Sequence, residues 1–149
     1  MNKIAYSSLI IVLLLVFWAI APANNTEPLA IHTQNGPKAF KVEIPETKEE
    51  KQKGLMHRTS MPANHGMLFI WEKDIVATMW MKNTFIALDM LFIDSTGHIV
   101  YIADNTKPES LTPITANKPV RAVLELAAGT AKAHMIEPGD RVEHRYFRP

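Results

Sequence analysis

From Met67 onward the chain is a series of short apolar runs, each stopped within a few residues by turn formers, which leaves little room for anything but a sheet of short strands. Met67-Leu68-Phe69-Ile70-Trp71 is continuous and predicts a buried strand. Residues 75–81 predict another, with Ile75, Ala77, Met79 and Met81 on one face. Leu88–Ile93 predicts a third. Asp94-Ser95-Thr96-Gly97 is a turn sequence, and Ile99-Val100-Tyr101-Ile102 is the return strand of a hairpin. Residues 120–126 predict a further strand, and Val142, His144 and Tyr146 alternate as a last one. Upstream, Phe40, Val42 and Ile44 alternate with Lys41 and Glu43, and Pro45 stops them. Thr47 with Glu50 three residues on is a capping box, and Gly54 a helix stop, so 48–53 predicts a short charged helix. Residues 130–135 predict a turn or two of helix. Residues 104–119, rich in Pro, Thr and Asn, read as a long loop. The expected fold is mainly β with one or two short helices (α+β): a small antiparallel, barrel-like or sandwich-like single domain over 39–149.

The amino terminus reads differently. Met1-Asn2-Lys3 is short and positive, residues 9–20 are almost wholly apolar, and Ala21-Pro22-Ala23 offers small residues where a signal peptidase reads. Residues 1–23 are therefore expected to be a signal peptide, and 24–38, polar with Pro28, Gly36 and Pro37, a flexible leader. The protein is expected to be periplasmic or secreted, with an uncleaved membrane anchor as the alternative. The absence of cysteine excludes disulfides, thiolate metal sites, thiol catalysis and a lipid-modified cysteine. Lys and Arg total 16 against 15 Asp and Glu, a balance that argues against a nucleic-acid partner. No cofactor is expected, and the chain is expected to be a monomer.

Three clusters hold the residues that carry chemistry. The first runs from Gly54 to Arg58 and is followed by Gly66-Met67-Leu68-Phe69. The second is Trp80-Met81-Lys82-Asn83-Thr84, followed by Leu88-Asp89-Met90. The third is Val123-Leu124-Glu125-Leu126 with Ala128-Gly129, then Gly139 to Val142. Together they resemble the uncharacterised ACR family, domain-of-unknown-function family 192, over residues 40–143. The resemblance implies a small β-rich single domain, often exported, and no established activity. Three positions depart from that pattern: Ala87 where proline is usual, His57 where an aromatic is usual, and Met135 where glycine is usual.

The residues themselves can be read further. Lys82, Asn83 and Thr84 follow one apolar stretch and precede another, which places them at a rim. Asp89 and Glu125 sit inside apolar runs, where an unpaired carboxylate costs several kcal/mol. Arg58 and Lys82 are their natural partners. Arg58, Lys82, Asn83, Thr84, Asp89 and Glu125 are therefore the candidate site for a small polar or anionic ligand or envelope component. The same six residues would also make a purely structural network, with Asp89 paired to Lys82 and Glu125 to Arg58. Two rivals remain. Asp89 and Glu125 would form an acid–base pair on carbohydrate or cell-wall material if they shared a cleft. Met79, Met81 and the His57–His65 region would handle copper if their donors converged. The methionines and Trp71 and Trp80 read more simply as core. No nucleophile elbow, phosphate loop or dinucleotide fingerprint is present.

Overall fold

The computed structural model describes residues 25–147. The expected signal peptide and its cleavage site lie outside them. Nine strands and two short helices follow in order: β1 (Thr26–Thr33), β2 (Gly36–Glu43), α1 (Lys48–Lys53), β3 (His65–Ile75), β4 (Thr78–Met79), β5 (Leu88–Ile93), β6 (Ile99–Ala103), β7 (Ile114–Thr115), β8 (Val120–Ala127), α2 (Thr130–His134) and β9 (Arg141–Glu143). A 3-10 turn, Arg145–Phe147, closes the described chain. Seven strands form one sheet in the order β6-β5-β8-β3-β2-β1-β9, and β4 pairs with β7 in a second, two-stranded sheet.

The domain is mainly β with two short helices, as its patterning implies, and its large sheet is not closed into a barrel. The large sheet curls until its ends approach. His98 and Arg141 form one bridge there, flanked by bonds such as Val142 N–H to the Gly97 carbonyl at 2.8 Å. Every pairing in this sheet is antiparallel except β2 with β3. That parallel pair is joined by a crossover carrying α1, the unit that parallel strands require. α1 has the expected capping box, Glu50 N–H on Thr47 Oγ1 at 3.1 Å and Thr47 N–H on Glu50 Oε2 at 3.0 Å. It buries none of its residues, so tertiary position, not packing of an apolar stripe, gives it meaning.

The expected leader, residues 24–38, is a correction. Most of it is β1 and the start of β2, a hairpin paired from Thr26↔Glu43 to Thr33↔Gly36. Leu29 and Ile31 point into the core. Pro28 and Pro37 hid the pattern, yet both sit where a missing N–H is tolerated. β9 covers β1 only over Ala30–His32, and β3 covers β2 only over Lys41–Glu43. Two further differences are local. The strand expected over 75–81 breaks, leaving Met81 buried in a turn. The last strand ends at Glu143, and His144 to Tyr146 enter the 3-10 turn.

Strand β5 is covered on both faces and buried along its whole length, and with β8 and β3 it forms the centre of the domain. Strand alternation sorts their side chains. Leu68, Leu91, Ile93, Leu124 and Leu126 face inward with Leu29, Ile31, Phe40 and Val42 from the curled-over hairpin. Met67, Phe69, Met90, Phe92 and Val123 face outward, beneath Leu55 and the small β4–β7 sheet. Of the three departures, Met135 has a visible cost. It ends α2 at φ 53°, a left-handed position that glycine takes without strain.

Candidate functional site

The outward face of the sheet is not fully covered. A cavity of about 780 Å³ opens between α1, β3, β8 and the segment from Thr78 to Thr84. Its size falls within the ordinary range for small-ligand sites. Met90↔Glu125 and Met67↔Glu125 are register partners, so Glu125 points outward with Met90 and Met67 and lines this cavity. The residue is 4% exposed. Among the described residues no group hydrogen-bonds or ion-pairs with its carboxyl. Burial alone pushes its pKa up to about 8, so near neutral pH it is largely a neutral acid.

The walls are aromatic and thioether: Phe69 and Trp71 from β3, Met79 from β4, Met56 from the turn after α1, and Trp80, which is 50% exposed. The rim is cationic. Lys48, Lys51 and Lys53 come from α1 and Lys82 from the turn after Trp80, against one rim carboxylate, Glu46. Lys51 donates from Nζ to the Ile70 carbonyl at 2.8 Å, which pins α1 to β3. Lys82 Nζ stands 5.1 Å from the centre of the Trp80 ring, a cation–π contact.

The polar turn expected at the rim is there. Thr84 N–H donates to the Met81 carbonyl at 3.0 Å, closing a turn in which Asn83 takes φ 55°, a conformation asparagine tolerates better than most residues. The Asn83 carbonyl accepts from His57 N–H at 2.8 Å and ties this wall to the segment after α1. Thr84 is buried and donates to the Lys82 carbonyl at 3.2 Å.

Four of the six candidates, Lys82, Asn83, Thr84 and Glu125, thus line one cavity. The other two do not. Arg58 forms a two-pronged pair with Glu43, at 2.6 and 2.7 Å, in a neighbouring hollow. Asp89 pairs in register with Leu126 and so points inward, on the face opposite Glu125. It is fully buried and accepts from Asn105 N–H at 2.8 Å and Ala131 N–H at 2.9 Å. The expected pairings of Asp89 with Lys82 and Glu125 with Arg58 are therefore absent. Asp89 and Glu125 share no cleft, which removes the two-carboxylate arrangement. Met81, expected beside Met79 on a strand face, is fully buried, and its sulfur accepts from Thr106 Oγ1 at 3.2 Å. Among the described residues no three His, Asp or Glu side chains gather as a metal site.

Sequence reading missed the α1 lysines and both tryptophans. Charge on a short helix reads as a solvated face, and tryptophan in an apolar run reads as core. Only the crossover, which stands α1 beside Trp71, gives them a cavity to share.

Fold and cavity define a class: a small single-domain β protein whose curled sheet carries a lysine-rimmed, aromatic-walled hollow on its outer face. The chain belongs to the uncharacterised ACR family, domain-of-unknown-function family 192, whose model matches residues 30–144. It is similar to a crystallised protein from Sinorhizobium meliloti 1021, provisionally named a transcription regulator. That likeness has 41% identity and a TM-score of 0.78, over 80% of this chain and 94% of that one. It is also similar to a protein of unknown function from Novosphingobium aromaticivorans, with 37% identity and a TM-score of 0.79, over 85% and 91%. No curated protein matches it.

Proposed function

We propose that this protein binds a small anionic ligand with a flat or apolar body in the cavity above Glu125, and that residues 1–23 direct it out of the cytoplasm. The observation that carries the binding reading is the Glu125 carboxyl, which opens onto the floor of a hollow ringed by four lysines and takes no partner among the described residues. A carboxyl that faces an open cavity and is not used by the protein's own hydrogen bonds is free to bond a ligand there. The lysines attract the anion, and the aromatic walls take its body. The export reading rests on the positive, apolar and small-residue succession of residues 1–23.

The name of the Sinorhizobium protein points to nucleic acid. The formal net charge of +1 on this chain supports a small ligand over a phosphate backbone. Catalysis is a second reading, favoured by one observation. A carboxyl with a pKa of about 8 in a cleft is placed to give or take a proton near neutral pH. Any such chemistry would use Glu125 without Asp89.

Thermal unfolding of the full chain against organic acids, phosphates and sugars tests the binding reading. A ligand at 100 times its Kd adds about 2.7 kcal/mol, a shift of several degrees for a domain of this size. The expected result is a shift with an anionic compound that Lys82→Met or Glu125→Met reduces to about half or less. A panel without any shift, or a shift that both variants retain, would overturn it.

A further inference from the structure

Flat apolar surface, neutral hydrogen-bonding groups and fixed positive charge meet in this one cavity, and each asks something different of a ligand. The half-exposed indole of Trp80 stands at the rim, with the Lys82 ammonium 5.1 Å from its ring centre. Glu125 waits at the floor without a partner, and Asn83, Thr78 and Gln52 bring further neutral polar groups to the walls. An aromatic acid would use the indole and the lysines and leave those neutral groups unanswered. A wholly aliphatic acid would leave them unanswered as well. A saturated sugar ring with one acidic substituent answers all three. Its C–H face lies on the negative face of an indole. Its hydroxyls both donate and accept, as a protonated carboxyl does, so Glu125 and a hydroxyl satisfy each other in either direction. Its carboxylate or phosphate meets Lys82 and the α1 lysines. A volume of about 780 Å³ admits one such ring with its water or two linked rings.

We infer that the ligand of this cavity is an anionic pyranose, a uronate or a sugar phosphate, stacked on Trp80 with its acidic group at Lys82 and a ring hydroxyl on Glu125. The inference rests on the binding reading above and narrows it. Trp80 is thereby the residue that selects a sugar over other anions, and Lys82 the one that selects an acidic sugar over a neutral one.

Isothermal titration of the full chain with glucuronate, glucose 6-phosphate, glucose and 4-hydroxybenzoate tests it. The expected result is binding of at least one acidic sugar, with glucose weaker by roughly tenfold for the lost charge-assisted contacts. Trp80→Ala, a half-exposed site whose loss the fold should survive, should weaken the acidic sugar roughly fivefold. Trp80→Phe should restore part of that loss. Lys82→Met should bring the acidic sugar down to the affinity of glucose. Glucuronate binding without glucose 6-phosphate names the carboxylate as the acidic group, and the reverse names the phosphate. Hydroxybenzoate binding more tightly than both acidic sugars would overturn the sugar inference and leave the anion reading standing. Acidic-sugar binding that Trp80→Ala leaves untouched would overturn the stacked pose. No binding by any of the three anions would overturn both the sugar inference and the reading beneath it.

Discussion

Asp89 and Glu125 are carboxylates on neighbouring strands, buried in the same three-strand core, and they have opposite fates. Asp89 faces the inside of the curl. Each of its oxygens takes one backbone N–H, from Asn105 and from Ala131 in the first turn of α2. It ties a loop and a helix to β5. Glu125 faces outward, takes nothing, and opens onto a cavity. A one-residue difference in register places one acid in a saturated network and the other in an unsatisfied hollow. Burial of a charge-bearing group therefore says little by itself. The hydrogen-bond inventory around it separates a fastener from a site.

The largest test of that contrast is stability. Asp89→Leu strands two backbone donors and should cost roughly 3–5 kcal/mol in chemical denaturation. Glu125→Met removes an unpartnered acid together with the cost of holding its proton, and should raise stability at neutral pH by roughly 2–3 kcal/mol, more as pH rises toward 8. Equal losses in the two variants would break the distinction.

Next in size is the pH dependence. The Glu125 carboxyl sits near 4.5 in an unfolded chain and at about 8 when folded. Between those values the folded state keeps a proton that the unfolded state gives up. Stability should therefore fall as pH rises from about 5 to 8, by roughly 1 kcal/mol per pH unit, and then level off. Glu125→Gln should flatten this slope. The carboxylates held low by their partners, Glu27, Glu50 and Asp94, act in the other direction and at lower pH, losing their contribution as pH falls below about 4. A slope unchanged in Glu125→Gln would show that some other group controls it.

Packing gives a third, smaller contrast. A Cβ on Gly66 would stand 2.5 Å from the Glu125 carbonyl oxygen and 2.7 Å from Leu126 Cδ2, on the inward face. Gly66→Ala should cost roughly 2 kcal/mol, because that face has no slack. Met79→Ala, on the cavity wall, should cost less, since space already lies beside it. Urea unfolding of the two variants side by side checks the order.

How much of this was legible in the sequence follows from the physics of each signal. Period-two alternation and turn chemistry are local. They marked the β5–β6 hairpin, where Asp94 Oδ1 accepts from Thr96 and His98 as the Asp-Ser-Thr-Gly turn implies. They also marked the α1 capping box. Pro28 and Pro37 mask the β1–β2 hairpin in the sequence, because which strand flanks are free depends on pairing with β3 and β9, far away in the chain. Glu125, Lys82, Asn83 and Thr84 were recognisable as polar groups in apolar surroundings. Arg58 and Asp89 were equally recognisable and belong elsewhere, because which face a residue takes depends on the register of strands far apart in sequence. The α1 lysines carried no signal of a site at all. Their role comes from a parallel crossover that no window of a dozen residues contains.

Arg58 and Lys82 supply the smallest and most specific test, because both are cations beside the cavity with opposite assignments. Arg58 grips Glu43 through two nitrogens at a partly shielded position. Its replacement by Met should lower stability by about 1 kcal/mol and leave ligand affinity unchanged. Lys82 is exposed, and its ammonium stands 5.1 Å from the centre of the Trp80 ring. Lys82→Met should leave the unfolding midpoint within about 0.5 kcal/mol of the parent and weaken anion binding by roughly tenfold. Measured on the same two proteins, denaturation and titration should give crossed results. If Arg58→Met weakened binding as much as Lys82→Met did, the anion would sit lower, between the two hollows that share Gly54 and Met56, and the division between fastener and site would have to be redrawn at α1.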